Sequence, residues 1–185
     1  GVDDAVADGD VAYITVTAPA TTTDPTYDGL DPNDAAVTNA DNDLAGIVVT
    51  SGTDTLEETS YFLTLVTSST KPVVMVGSMR PATAISADGP GNIYNGVAVV
   101  TNPGAKGKGT LVVLNDEIHY ARNVVKTNTT SVQTFVSINR GPAGVVNTGQ
   151  IQWFEPIDRK VGAATGFSIG ALDKLPRVDV IYAHP

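Results

Sequence analysis

The sequence predicts an α/β domain with a mostly parallel sheet flanked by helices, followed by a linker and the first strand of a second α/β domain. Three observations point to it. Short β-branched runs recur between turn residues. These runs are almost unbroken in apolar character, as strands covered on both faces require. Stretches that can form helices lie between them, giving the strand, turn, helix, strand order of a layered α/β domain.

The elements follow in order. "VAYITVTA" (11–18) and "GIVVT" (46–50) read as strands, and each stops at a polar turn. Residues 56–66 place Leu56, Phe62, Leu63 and Val66 on one helical stripe. "PVVMVG" (72–77) is the next strand, "NIYNGVAVV" (92–100) the next helix, and "GTLVVLN" (109–115) a further strand. After Trp153 the pattern breaks: residues 155–176 are mixed in charge, rich in glycine and without a clear period, as a linker is. "VDVIYA" (178–183) then reads as a fresh strand. The expected division is residues 1–154 as most of one domain, 155–176 as an interdomain linker and 177–185 as the start of a second domain. Gly1 is no initiator residue, so either a leader has been removed or the chain begins part-way into a longer protein. With no successor to the last strand, the chain is expected to be truncated at its C-terminal side.

Composition narrows the function. With 42% hydrophobic residues among 185, the chain can bury a substantial core, and it has no cysteine for disulfides or thiolate metal sites. A formal net charge of −9 argues against nucleic acid or an anionic membrane as partner. No apolar run approaches the roughly 20 residues that span a bilayer. The first basic residue is Lys71, and the acidic early part, rich in Asp, Ala and Thr, reads as solvated surface.

Three polar clusters each follow a buried run. In "GIVVTSGTDTLEETSYF" (46–62) the strand ends in Ser51, Gly52, Thr53, Asp54 and Thr55. Thr55 with Glu58, or Asp54 with Glu57, has the spacing of a capping box, so these residues can serve only to start a helix. Alternatively they face a ligand, because open α/β sheets bind ligands beyond the carboxyl ends of their strands. The loop 77–95 follows the next strand, and its plain reading is a connection in which Arg80 pairs with a surface carboxylate. In "LNDEIHYARNVVKTNTT" (114–130), Lys126 is either solvated or functional, while His119 reads as structural. Two histidines give little support to a Ser–His–Asp triad or a histidine-rich metal site, and no nucleotide-phosphate glycine motif is present.

"TSGTDTLEETSYF", "KPVVMVGSMRPATAISADGPGNIYN" and "LNDEIHYARNVVKTNTTSVQTF", in this order, resemble the bacterial-type L-asparaginase and glutaminase-asparaginase family from about Gly46 to Glu155. The resemblance implies hydrolysis of the side-chain amide of L-asparagine, and of L-glutamine as a second substrate, without metal or organic cofactor. It implies a homo-oligomer, a tetramer as in the family, in a periplasmic or secreted setting, with the cytoplasm left open. In the family a first threonine is the nucleophile, and a second threonine, an aspartate and a lysine form a relay. The Gly-Thr-Asp motif puts the relay threonine and aspartate on Thr53 and Asp54, and the Lys-Thr-Asn-Thr-Thr motif puts the relay lysine on Lys126. Gly52, Thr53 and Asp54 would bind substrate, Asp54 through its α-ammonium, and Ser78 would lend its backbone carbonyl to the scissile amide. A threonine hydroxyl needs a base to become nucleophilic, and a lysine serves only when neutral.

This chain departs from the family in two places. Ser51 stands where the family usually has histidine. The family's Thr-Gly-Gly-Thr-Ile motif, which carries its usual first nucleophile, is absent, and its substrate-binding turn is not recognisable near 17–24. Two other readings remain at this stage: an asparaginase-like amidase subunit of a tRNA-dependent amidotransferase, and a catalytically silent amino-acid-binding module.

Overall fold

The computed structural model describes residues 46–154, 162–170, 177–179 and 181, with the backbone pairing of 11–15 and 35–39. Its centre is a six-stranded sheet. In chain order, β1 is Val11–Thr15, β2 Ala35–Asn39 and β3 Ile47–Thr50, followed by helix α1, Leu56–Val66. Strand β4 (Val73–Val76) leads to helix α2 (Gly89–Val100), then β5 (Thr110–Leu114) and β6 (Glu117–Tyr120). The short strands β7 (Val125–Lys126) and β8 (Phe135–Val136) precede β9 (Gly144–Asn147) and β10 (Gln150–Trp153). The sheet order is β10-β9-β6-β5-β4-β3.

The α/β class holds, but the sheet is mixed rather than mostly parallel. Strands β3, β4 and β5 run parallel, whereas β6, β9 and β10 join by antiparallel pairing. Turn chemistry is the reason. Asn115 and Asp116 both take positive φ, 50° and 63°, between β5 and β6, and Thr148 and Gly149 do the same between β9 and β10, at 49° and 77°. Two central residues of positive φ make the type I′ hairpin turn, whose twist matches that of the strands. Parallel pairing needs a long crossover, and these two-residue links allow only reversal.

Unbroken apolar strands are explained by cover on both faces. Val74, Val76, Leu111 and Val113 point to one side, packing with Val99 and Val100 of α2. Met75, Val112 and Leu114 point to the other, packing with Leu56 of α1, Val124 and Phe135. The α1 stripe differs from the expected one: Phe62 is exposed, and Ser60 and Thr64 are buried beside Leu56. Their hydroxyls are satisfied locally, Ser60 Oγ donating to Glu57 O at 2.9 Å and Thr64 Oγ1 accepting from Thr110 N at 3.2 Å.

Two strand assignments change. Residues 11–15 form a strand, but it pairs antiparallel with β2 in a separate two-stranded sheet, so its backbone is satisfied outside the parallel set. The described residues 177–179 and 181 lie in no strand, and Val178 and Ile181 are exposed, with no neighbouring strand among the described residues to pair with them. Within the stretch read as a linker, Gly162–Thr165 forms a single 3-10 turn tied to α1, Thr165 Oγ1 donating to Leu65 O at 2.7 Å. The substrate-binding turn expected near 17–24 lies outside the described residues.

Candidate active site

Parallel pairing sets the location. Because β3 and β4 run side by side in the same direction, the loops after Thr50 and after Val76 emerge on one edge. Ser51 N donates to Val76 O at 3.0 Å, extending that pairing into the loops. Gly77 is needed where they touch: a Cβ there would sit 3.0 Å from Ser51 O and 3.1 Å from the Thr53 methyl group. Gly52 is exposed, with no atom within 4 Å of where its Cβ would stand, so its backbone is open to an approaching ligand.

Lys126 reaches this edge from an unexpected direction. If it projected from the loop after β5, the β3 and β5 strand ends would have to lie close in the sheet, yet β4 separates them. Lys126 instead sits in β7, in the small β7–β8 hairpin where Lys126 pairs with Phe135. From there its Nζ donates to Thr53 Oγ1 at 2.9 Å and to Asp54 Oδ1 at 2.7 Å. The lysine side chain is 15% exposed and the Asp54 side chain 95% exposed, so a mostly covered amine meets a carboxylate standing in solvent. The hydrogen bond from Lys126, and then its charge, hold the Asp54 carboxyl below its ordinary range.

The helix-capping alternative is not realised. Thr55 is the N-cap residue of α1 without a side-chain capping bond. Asp54 is engaged with Lys126, and the Glu57 carboxylate accepts from the backbone N–H of Lys126. Asp54 and Glu57, one of the two pairs with capping-box spacing, are thus turned towards another element.

The Ser78 loop has its own clasp. The Asp88 carboxylate accepts from Met79 N and Arg80 N, each at 2.9 Å. Asn92, buried on α2, donates to Gly77 O at 2.9 Å and accepts from Asn115 N at 3.0 Å. This fixes both ends of the segment that carries exposed Ser78. Among the described residues Arg80 pairs with no carboxylate: its Nη1 donates to Ser86 O at 2.9 Å and Ser86 Oγ at 2.7 Å, closing the loop on itself. Asp88, Asn92 and Glu57 were not singled out by sequence as site-supporting groups. The Asp88-Gly89-Pro90 turn was the signal for the first, since Pro near the start of α2 leaves its preceding carboxylate free to fold back.

His119 lies away from this cluster. It is fully buried on β6, with Nδ1 3.0 Å from Ser137 Oγ. Its Nε2 is 3.3 Å from Glu117 Oε2 but not aligned for a hydrogen bond. Burial pushes the imidazole down to about 4 and raises the Glu117 carboxyl. Among the described residues, no group of three or more His, Asp or Glu could hold a metal ion. Nor is any helix among them long and apolar enough to cross a membrane.

Of the expected site residues, Thr53, Asp54 and Lys126 are in direct contact, while Gly52 and Ser78 occupy the two adjoining loops. A hydroxyl, a carboxylate and an amine thus meet beyond the carboxyl ends of parallel strands, the place where open α/β proteins bind ligands. Residues 31–159 match the family model described as Asparaginase, N-terminal, and the chain belongs to this asparaginase family. It is 59% identical over 145 residues to L-asparaginase 2 of Bacillus subtilis, covering 78% of this chain and 38% of that protein. It is 46% identical over 142 residues to the glutaminase-asparaginase of Pseudomonas fluorescens biotype A, covering 77% and 39% respectively. A solved structure titled as the probable cytoplasmic L-asparaginase from Campylobacter jejuni superposes with a TM-score of 0.72 at 47% identity, covering 75% of this chain and 44% of that one. The chain thus spans about two fifths of the length of these curated relatives.

Proposed function

We propose that the protein to which this chain belongs is an amidohydrolase that converts L-asparagine to L-aspartate and ammonia, with L-glutamine as a second substrate. The observation that carries the reading is the bifurcated contact of Lys126 Nζ with Thr53 Oγ1 and Asp54 Oδ1. In this reading Thr53, Asp54 and Lys126 form the relay, Lys126 accepting the Thr53 proton when unprotonated, and no residue of this chain is assigned as the first nucleophile that attacks the amide carbon. Asp54 orients the amine and receives the substrate α-ammonium on its solvent-facing side. The backbone N–H groups of Gly52 and Thr53 face the carboxylate of the substrate and the oxyanion, and the Ser78 carbonyl receives the scissile amide. Names of relatives support both amides, since they include an L-asparaginase and a glutaminase-asparaginase.

The division of the chain is proposed on the same grounds: residues 1–154 as most of the N-terminal domain, 155–176 as the interdomain linker and 177–185 as the start of the next domain. A homotetramer and a periplasmic or secreted setting belong to the same proposal. Absence of cysteine is compatible with export, while the Campylobacter neighbour is titled cytoplasmic, so cell fractionation decides the compartment.

The test is ammonia release by the full-length protein. Thr53→Val keeps the shape and removes the hydroxyl, so kcat on L-asparagine is expected to fall about 100-fold or more with KM within a few-fold. Lys126→Met is expected to do the same. Undiminished kcat in either variant would remove that residue from the chemistry.

A further inference from the structure

We infer that Glu57 is a positioning residue for Lys126, holding the lysine at its backbone while Thr53 and Asp54 hold it at its tip. The inference rests on the functional reading above and adds to it a group outside the reacting set. Glu57 stands in the first turn of α1, where a carboxylate sits favourably against the positive end of the helix dipole. Its Oε2 is not used in a cap but accepts the backbone N–H of Lys126. The acceptor therefore comes from a different element, 69 positions away in sequence.

The geometry gives this bond a purpose. Residues 53–57 form one continuous piece of chain that leaves β3 and enters α1, and Leu56 anchors it in the core with no exposure. That piece grips Lys126 at both ends, Glu57 at the main chain and Thr53 with Asp54 at Nζ. The lysine stem is thereby measured against the segment it must serve. The β7–β8 hairpin is anchored by buried Val124 and Phe135 and closed by Thr127 N donating to Thr134 O at 2.8 Å, and the Glu57 bond ties the main chain of Lys126 to α1 as well. Without Glu57 the Lys126 N–H loses its acceptor on α1, and the origin of the amine is no longer tied to the segment that carries Thr53 and Asp54. A shift of about 1 Å in a catalytic group can cost on the order of 100-fold in rate.

Full-length protein carrying Glu57→Ala, Glu57→Gln or Lys126→Met tests this. Glu57→Ala is expected to lower kcat about tenfold or more with KM little changed, the pattern of a group felt in the chemical step. Glu57→Gln keeps a carbonyl acceptor at the same reach and is expected to recover most of that loss. The second readout is amide hydrogen exchange at Lys126, expected to accelerate in Glu57→Ala and to stay protected in Glu57→Gln. An Ala variant with parental kcat, or a Gln variant as impaired as Ala, overturns the positioning role, as does unchanged exchange at Lys126. Full activity in Lys126→Met overturns the functional reading instead, and the exchange measurement, which needs no turnover, tells the two failures apart. If Glu57→Ala fails to fold, the Gln variant alone decides: protection of the Lys126 amide with retained kcat supports the inference, and loss of both sinks it.

Discussion

At the scale of the residue, the proposed function gives Asp54 two tasks, orienting Lys126 and receiving an α-ammonium. One oxygen meets Lys126 Nζ at 2.7 Å, while the side chain as a whole is open to solvent. Asp54→Asn keeps an oxygen that can accept from Lys126 but removes the charge an α-ammonium would seek. Steady-state kinetics are therefore expected to show KM raised about tenfold or more in Asp54→Asn, with the kcat loss smaller than in Asp54→Ala. Equal kcat losses without a KM change would assign Asp54 to orienting the amine alone. The contact of these residues was legible in the sequence only through resemblance, because local chemistry offered a helix cap as an equally good account of Asp54 and Glu57. Spacing alone cannot distinguish a carboxylate that folds onto its own helix from one that reaches a hairpin roughly 70 positions away. Lys126 carried even less signal, since a lysine among hydroxyls looks the same whether solvated or held.

At the scale of the element, close approach between α2 and the sheet depends on Gly96. A Cβ at Gly96 would lie 2.7 Å from Val76 Cγ1, with Val48 and Val74 each 3.6 Å away. Alanine there improves helix propensity by about 1 kcal/mol, but it overpacks a fully buried valine, which typically costs about 1–3 kcal/mol. Gly96→Ala is expected to lower the urea midpoint of the full-length protein, and a raised midpoint would show that α2 can move away freely. The same continuous burial that makes Gly96 sensitive made the parallel core readable. Val73–Val76 and Thr110–Leu114 are buried along their whole length, so their apolar runs announced themselves, and the span of α1 was read as 56–66. The antiparallel side gave no such run. "EIHY" in β6 mixes a carboxylate and an imidazole, and "QIQW" in β10 is alternately exposed and half-buried over only four residues. Their signal lay in the turns: Asn115, Asp116 and Gly149 are residue types that accept positive φ, whereas β-branched Thr148 takes it without any such preference. The start of α2 was missed for a related reason: Gly89-Pro90-Gly91 reads as a turn, although proline is well suited to the first turn of a helix.

At the scale of the whole molecule, buried His119 ties stability to pH. Its folded-state value, about 4, lies below the ordinary 6.5, so between those values the unfolded chain binds the proton and the folded one does not. Its contribution is fully present above pH about 6.5 and is lost as pH falls towards 4. Glu117 works against this, because a raised carboxyl takes up its proton more readily in the folded state. A His119→Gln variant is expected to show a shallower fall in unfolding midpoint between pH 6.5 and 4 than the parent. Identical slopes would mean the imidazole escapes its burial on protonation. The grip on Lys126 has a consequence in time as well as in space. Its contact with Thr53 joins positions 73 apart, and such closures come late because chain entropy must be lost before the contact repays it. The strands β3, β4 and β5 can assemble, and α1 and α2 can dock, while the β7–β8 hairpin is still adrift. During refolding of the full-length protein, the far-ultraviolet signal of helix and sheet should therefore return ahead of the amide-hydrolysing activity proposed for it, leaving an interval in which the shape is present and ammonia release is not.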